Sequence, residues 1–244
     1  KTDKNPNILV ILIDDAGYND FGFMGSKEMQ TPNIDALTSE GVVFTDAHVA
    51  ATVSSPSRAC LITGRYGHRF GYECNLSDRT NGLPLEEETI AEVFKTNGYR
   101  TAAIGKWHLG SRDEQHPNNR GFDLFYGMKA GGRDYFYNEK KSDRPGDERN
   151  LLLNDRQVKF EKYLTDAFSE KAVEFINESS QPFMMYLAYN AVHTPMQATD
   201  EDMAKFEGHP RQKLAAMTYA LDRGVGTVIR GLKDSGKFDN TLIF

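Results

Sequence analysis

The chain has 244 residues, 39% of them hydrophobic and 26% charged, which is enough apolar content for one large buried core. A net charge of −6 and a pI near 5.6 argue against a general nucleic-acid binder or a coat for anionic membranes, but leave room for a local basic pocket around a small anion. No stretch is long and apolar enough to cross a bilayer, and two cysteines, Cys60 and Cys74, are too few for a disulfide framework.

Lys1-Thr2-Asp3-Lys4-Asn5-Pro6 reads as the polar lead-in left after an export signal is trimmed. Residues 7–13 form a continuous, mostly β-branched run, the pattern of a strand buried on both faces, and it stops at Asp14-Asp15. Thr31-Pro32 opens a short helix that Gly41 ends, and Val42-Val43-Phe44 follows as a strand. The run Ser54-Ser55-Pro56-Ser57-Arg58-Ala59-Cys60-Leu61-Ile62-Thr63-Gly64-Arg65 starts a helix, since proline is tolerated in a first turn whose N–H groups have no partner. That positive helix end favours an anion beside Ser54, and Arg58, one turn later, lies on the same face. Cys60 sits among apolar neighbours of this helix, so a buried thiol is expected, with a bridge to Cys74 as the alternative.

Residues 84–97 read as an amphipathic helix with Glu86, Glu87 and Glu88 at its positive end and Gly98 as its stop. A strand over 100–105 runs into Lys106-Trp107-His108. Residues 111–154 are polar and poorly periodic, and a connection of that length inside a compact domain is usually functional. A helix over 165–177 leads to a strand over 182–188 that delivers His193-Thr194-Pro195. A long helix over 211–233, with Gly224 and Gly226 in its middle, precedes a last strand over 241–244. This alternation predicts an α/β domain with a mainly parallel mixed sheet sandwiched by helices.

Three strands thus end in Asp14/Asp15, Lys106/His108 and His193, and such sheets hold ligands in the crevice beyond their carboxyl ends. Adjacent carboxylates are costly unless a cation neutralises them, and oxygen ligands favour Ca²⁺ or Mg²⁺ over zinc. The plainer alternative is that one aspartate caps a turn and the other is solvated. Lys106 and His108 alternate on an extended segment, so both can face one pocket. Asp222 on the long helix is expected to be a structural hydrogen-bonding partner, and His48, His68 and His209 carry no assigned role.

The Ser54–Arg65 run, with its Ser-x-Pro-x-Arg core and Thr-Gly stop, resembles the signature of the sulfatase family, within the alkaline phosphatase superfamily. Gly105-Lys106-Trp107-His108-Leu109-Gly110, Asn119-Arg120-Gly121-Phe122-Asp123 and Ala191-Val192-His193-Thr194-Pro195 extend the resemblance, in order, over essentially the whole chain. The resemblance implies that Ser54 is oxidised to formylglycine, whose hydrate attacks sulfur and leaves a sulfated hemiacetal that expels sulfate by carbon–oxygen cleavage. It implies that Asp14, Asp15 and modified Ser54 ligate the metal, that Arg58 and Lys106 hold the hydrate and the sulfate oxygens, that His108 assists sulfate release, and that His193 binds sulfate and protonates the leaving oxygen. A serine at this position implies an anaerobic, radical-type formylglycine-generating partner, or an original cysteine replaced.

The family completes its metal site with a Ser-Asp-Asn-Gly segment after the last strand and adds a smaller C-terminal domain. Neither occurs before Phe244, so residues 1–244 are expected to be the N-terminal part of the catalytic domain, with weak metal affinity and little activity alone. Gly131-Gly132-Arg133-Asp134-Tyr135-Phe136-Tyr137 resembles the arylsulfatase and N-acetylgalactosamine-sulfatase branch, which implies a sulfated, glycosaminoglycan-like carbohydrate with His116, Arg133 and Asp134 near it. An exported location follows from that reading, periplasmic or extracellular, or lysosomal in a eukaryote. Two other functions fit the same residues: a phosphate mono- or diester hydrolase using unmodified Ser54, and a non-catalytic binder of sulfated glycans.

Overall fold

A computed structural model describes residues 5–75 and 82–244, so the first four residues of the polar lead-in lie outside it. The strands are β1 (Asn7–Leu12), β2 (Arg100–Lys106), β3 (Leu124–Met128), β4 (Leu152–Leu153), β5 (Arg156–Gln157), β6 (Phe183–Ala188) and β7 (Thr241–Ile243). The helices are α1 (Pro32–Ser39), α2 (Ser54–Thr63), α3 (Ile90–Thr96), α4 (Leu164–Glu178), α5 (Asp200–Ala204) and α6 (Gln212–Asp234). The strands form one seven-stranded sheet in the order β5-β4-β3-β2-β6-β1-β7. All ladders from β3 to β7 are parallel, and only the short β4 and β5 run antiparallel.

Alternation along β6 shows why the sheet is apolar throughout. Phe183, Met185 and Leu187 join the core beneath α4 and α6, while Met184, Tyr186 and Ala188 face α2 and α3. All six residues are buried. In α6 the two mid-helix glycines permit close packing: a Cβ at Gly224 would stand 2.5 Å from Ser169 Oγ, and one at Gly226 would strike Asn33. Asp222, on the same helix and 1% exposed, accepts hydrogen bonds from Asn33 N (3.1 Å), Asn33 Nδ2 (2.7 Å) and Ile34 N (2.8 Å). It therefore caps the first turn of α1 from another element.

Several expectations change. No strand forms at 42–44: Val42 is 82% and Phe44 74% exposed, because β-branched propensity without a ladder partner leaves the backbone to water. The helix expected over 84–97 starts only at Ile90, because Thr89 and Glu92 close a capping box there. Glu86–Glu88 consequently precede the helix, and Glu87 instead pairs with Arg65 at 2.5 Å. The polar tract 111–154 contains a central strand, β3, whose five residues are too few to show a period. Both cysteines are free, so no Cys60–Cys74 bridge exists; Cys60 is buried and its sulfur accepts from Gly67 N at 3.1 Å.

Replacing Asp222 with alanine removes one acceptor from three donors, and should lower stability by roughly 2 kcal/mol in urea unfolding. A loss below about 0.5 kcal/mol, the range of ordinary surface substitutions, would show that the cap does not join α6 to α1.

Candidate active site

The site forms where the start of α2 meets the carboxyl ends of β1, β2 and β6. Val53 is extended (φ −126°, ψ 162°) and Ser54 opens the helix, with Pro56 in its first turn. Ser55 fastens this helix start to the sheet. Its hydroxyl donates to the carbonyl of His108 at 2.8 Å and shares a 2.6 Å hydrogen bond with the Tyr72 hydroxyl. Its N–H donates to Asn75 Oδ1 at 2.9 Å.

Arg58, 1% exposed, spans the pocket floor. Its Nε donates to Ser54 Oγ at 3.0 Å, and its Nη1 donates to the Lys106 carbonyl (2.9 Å) and the Tyr186 hydroxyl (3.2 Å). Its Nη2 lies 3.5 Å from Asp14 Oδ2, the same oxygen that accepts from Lys106 Nζ at 2.6 Å. Lys106 is 1% exposed, so burial, and then the neighbouring Arg58 guanidinium, lower its pKa.

His108 completes the contact to the hydroxyl, with Nδ1 3.1 Å from Ser54 Oγ. Its backbone takes the left-handed region (φ 56°), as does that of Asp15 (φ 60°), a conformation uncommon for such residues and held here by surrounding structure. Burial, followed by the charges of Lys106 and Arg58, pushes the His108 imidazole down to about 3. It is therefore neutral near pH 7 and able to accept a proton at Nδ1.

Asp15 is exposed, and its Oδ2 lies 3.7 Å from His193 Nε2. His193 Nδ1 is 2.6 Å from the Thr194 carbonyl, which only accepts, so Nδ1 carries a hydrogen and Nε2 faces Asp15. The loops after β1 and β6 are tied together by Asp14 N to Ala191 O (2.9 Å) and Val192 N to Asp14 O (2.7 Å). Asp14, Asp15, Ser54, Arg58, Lys106, His108 and His193 thus gather in one place.

The other three singled-out residues are engaged elsewhere. His116 accepts from Asn118 N (3.2 Å), meets Asn154 O at 3.2 Å and packs edge-on to Phe125, and burial lowers its pKa. Arg133, 2% exposed, donates Nη2 to both oxygens of Asp143 at 2.8 Å beneath the ring of Phe160. Asp134 accepts from Ser142 (2.7 Å) and Gln197 (2.9 Å). Tyr186 and Tyr135 were not foreseen from sequence. Both look like core aromatics there, and only their partners reveal that one holds Arg58 and the other the His193 loop.

In chemistry, Asp14 and Asp15 fit a hard divalent cation, with Ser54 Oγ in the same pocket. They supply only part of the six to eight or so oxygens that calcium takes. Among the described residues, no group of three or more His, Cys, Asp and Glu could hold a metal by itself.

The sulfatase family model matches residues 6–244 of this chain. The chain belongs to the sulfatase family. It is 35% identical to arylsulfatase G of Homo sapiens, over 98% of this chain and 49% of the relative. With the N-acetylgalactosamine-6-sulfatase of Homo sapiens it shares 30% identity over 98% of this chain and 49% of the relative. The chain therefore spans about half the length of these curated relatives. Among solved structures, Ps i-CgsB in complex with k-i-k-neocarrahexaose superimposes with a TM-score of 0.92 at 45% identity, covering 98% of this chain and 57% of that one.

Burial of His108 makes the fold's stability depend on pH. The unfolded histidine titrates near 6.5 and binds more protons than the folded one, so its contribution to stability is complete above about pH 6.5 and is lost as pH falls toward 3. In imidazole NMR spectra, His108 should stay neutral from pH 8 to pH 5. A midpoint near 6.5 would contradict the burial and the two cations assigned as its cause.

Proposed function

We propose that the protein hydrolyses sulfate esters of carbohydrates at the Ser54 pocket. The observation that carries this reading is the Ser54 hydroxyl, held between Arg58 Nε (3.0 Å) and His108 Nδ1 (3.1 Å) at a helix start. Two buried cations, Arg58 and Lys106, share one buried carboxylate, Asp14, which leaves positive charge for a tetrahedral anion. The dipole of α2 adds to that preference.

Ser54 is assigned as the site of oxidation to formylglycine by a radical-type maturation enzyme. That group supplies an aldehyde hydrate, from which sulfate can leave by carbon–oxygen cleavage rather than by a second attack at sulfur. Asp14, Asp15 and the modified Ser54 would hold Ca²⁺ or Mg²⁺, which supplies polarisation of the sulfate oxygens. Arg58 and Lys106 bind and orient the sulfate. His108, being neutral, takes a proton at Nδ1 from the hydroxyl carried at position 54. His193, fixed through Nδ1 on Thr194 O, when protonated directs its Nε2–H at the leaving oxygen. The scheme assigns no step to His116, Arg133 or Asp134; Arg133 and Asp134 hydrogen-bond within the segment that follows Gly131–Gly132.

With about half of the relatives' length covered, we read residues 1–244 as the nucleophile-bearing portion of a catalytic domain. The substrate assigned is a sulfated oligosaccharide. It is supported by the k-i-k-neocarrahexaose bound to Ps i-CgsB and by the kinship with an N-acetylgalactosamine-6-sulfatase. No helix among the described residues is long and apolar enough to cross a membrane. Separately, we propose an exported location, periplasmic or extracellular, or lysosomal in a eukaryote.

Protein purified from its own host should yield a peptide spanning Ser54 that lacks two hydrogens. The same preparation should release sulfate from k-i-k-neocarrahexaose or from N-acetylgalactosamine 6-sulfate, and Ser54→Ala should reduce turnover by on the order of 10⁴-fold or more. An intact serine accompanied by phosphate-ester hydrolysis would overturn the reading in favour of direct attack by Ser54. Sulfate-ester affinity without turnover would favour a binder.

A further inference from the structure

We propose that the turn Gly131–Gly132, with Tyr135, is a positioning element that sets both imidazoles of the pocket; its kinetic consequence rests on the function proposed above. The turn lies in the polar tract between β3 and β4, and each glycine backs a different histidine. A Cβ at Gly131 would stand 2.7 Å from His108 Cε1 and Nε2 and 3.1 Å from Nδ1, closer than side chains tolerate. A Cβ at Gly132 would stand 3.3 Å from His193 Cε1 and 3.4 Å from Nδ1. The demand at both positions is for space beside a ring, so even a methyl group at Gly131 must displace the His108 ring from its place against Gly131.

A wall can position a ring only if the wall itself is fixed, and this one is. Just before the turn, His108 N donates to Lys129 O at 3.0 Å and Ala130 N donates to Glu148 O at 3.2 Å. Just after it, Arg133 is buried with its guanidinium on Asp143 (2.8 Å to both oxygens) and its Nη1 on Arg149 O (2.8 Å). Tyr135, fully buried, then reaches across to the loop after β6, where its hydroxyl donates to Asn190 O (2.7 Å) and His193 O (2.8 Å). The insert is thereby bolted to the His193 loop by the Tyr135 hydroxyl, and further along that loop by Gln197, which meets Tyr135 N (2.8 Å) and Asp134 (2.9 Å), and to the His108 loop by backbone hydrogen bonds, with the glycine pair between them. Two histidines on the loops after different strands keep their spacing through a third segment that touches both.

Gly131→Ala, Gly132→Ala and Tyr135→Phe separate these roles, and each can be read in imidazole NMR spectra of this chain at fixed pH as well as in turnover. Gly131→Ala should move the His108 resonances and lower kcat by on the order of 100-fold with KM nearly unchanged, the scale set by an ångström of misplacement. Gly132→Ala needs only a few tenths of an ångström of adjustment, so it should move His193 and lower kcat about tenfold. Tyr135→Phe keeps the ring and loses only the hydroxyl; it should shift His193 and leave His108 in place, and it decides the matter if Gly131→Ala does not fold. Gly41→Ala, whose Cβ would make only an ordinary 3.6 Å contact with Leu37 O, is the control that changes neither spectrum nor rate. Unmoved His108 resonances in folded Gly131→Ala, or an unmoved His193 in Tyr135→Phe, would overturn the proposal. A wild-type protein that turns over no sulfate ester would overturn the proposed function alone, and the spectra would still decide the positioning role.

Discussion

Two cations buried against one carboxylate set the terms for the rest of the pocket. Arg58 and Lys106 are each 1% exposed and both approach Oδ2 of Asp14, which is itself 6% exposed. Removing such charges from water costs several kcal/mol per ion unless partners replace the lost hydration. The protein supplies those partners from every side: the Lys106 carbonyl and the Tyr186 hydroxyl for Arg58, and Asp14 for Lys106. One positive charge remains in excess of Asp14. On the function proposed above, a tetrahedral anion beside Ser54 would meet donors already oriented, in a low-dielectric setting where they act strongly. The same excess charge, added to burial, keeps His108 neutral.

The parallel sheet turns that requirement into geometry. β1, β2 and β6 are neighbours in the order β2-β6-β1, so their carboxyl ends deliver Lys106 and His108, His193, and Asp14 with Asp15 to one edge. The fourth contributor, Ser54, does not come from a strand at all. It reaches the site because α2 lies on the sheet through Ala59 and Ile62 and because Ser55 is hydrogen-bonded to the His108 carbonyl. The position of Ser54 therefore depends on the hydrogen bonds of its buried neighbour Ser55. His108 and Asp15 both occupy the left-handed backbone region, and strain of that kind persists only where surrounding contacts over-determine it.

The polar tract after β3 has a similar place in the fold. Its composition is polar and poorly periodic, yet Arg133, Asp143, Asp134, Ser142 and Tyr135 are buried in it. Buried polar groups of this density are stable only when satisfied, and here they satisfy one another, making a stiff wall from a sequence with little apolar content. Arg133 and Asp134, singled out in the sequence for substrate contact, hydrogen-bond to Asp143, Ser142 and Gln197 within that wall.

The sequence alone determined the elements whose cause is local. Continuous apolar runs made β1 and β6 legible, and the Ser-x-Pro-x-Arg spacing marked the start of α2 because a helix puts residues four apart on one face. It also marked the strand ends where Asp14, Lys106, His108 and His193 lie, since ligand crevices follow from topology. What depends on partners distant in the chain was decided by the tertiary structure. The five-residue β3 is a strand because β2 pairs with it, whereas Val42–Phe44, with equal propensity, finds no ladder. Thr89 shortened α3 by a local capping box, a signal present in the sequence but outweighed there by the acidic run before it. Tyr186 and Tyr135 are indistinguishable from core aromatics until the folded chain brings Arg58 and His193 to their hydroxyls. Propensity and spacing are written over a few residues, but burial, charge balance and hydrogen-bond partners exist only once the sheet has brought its strand ends together.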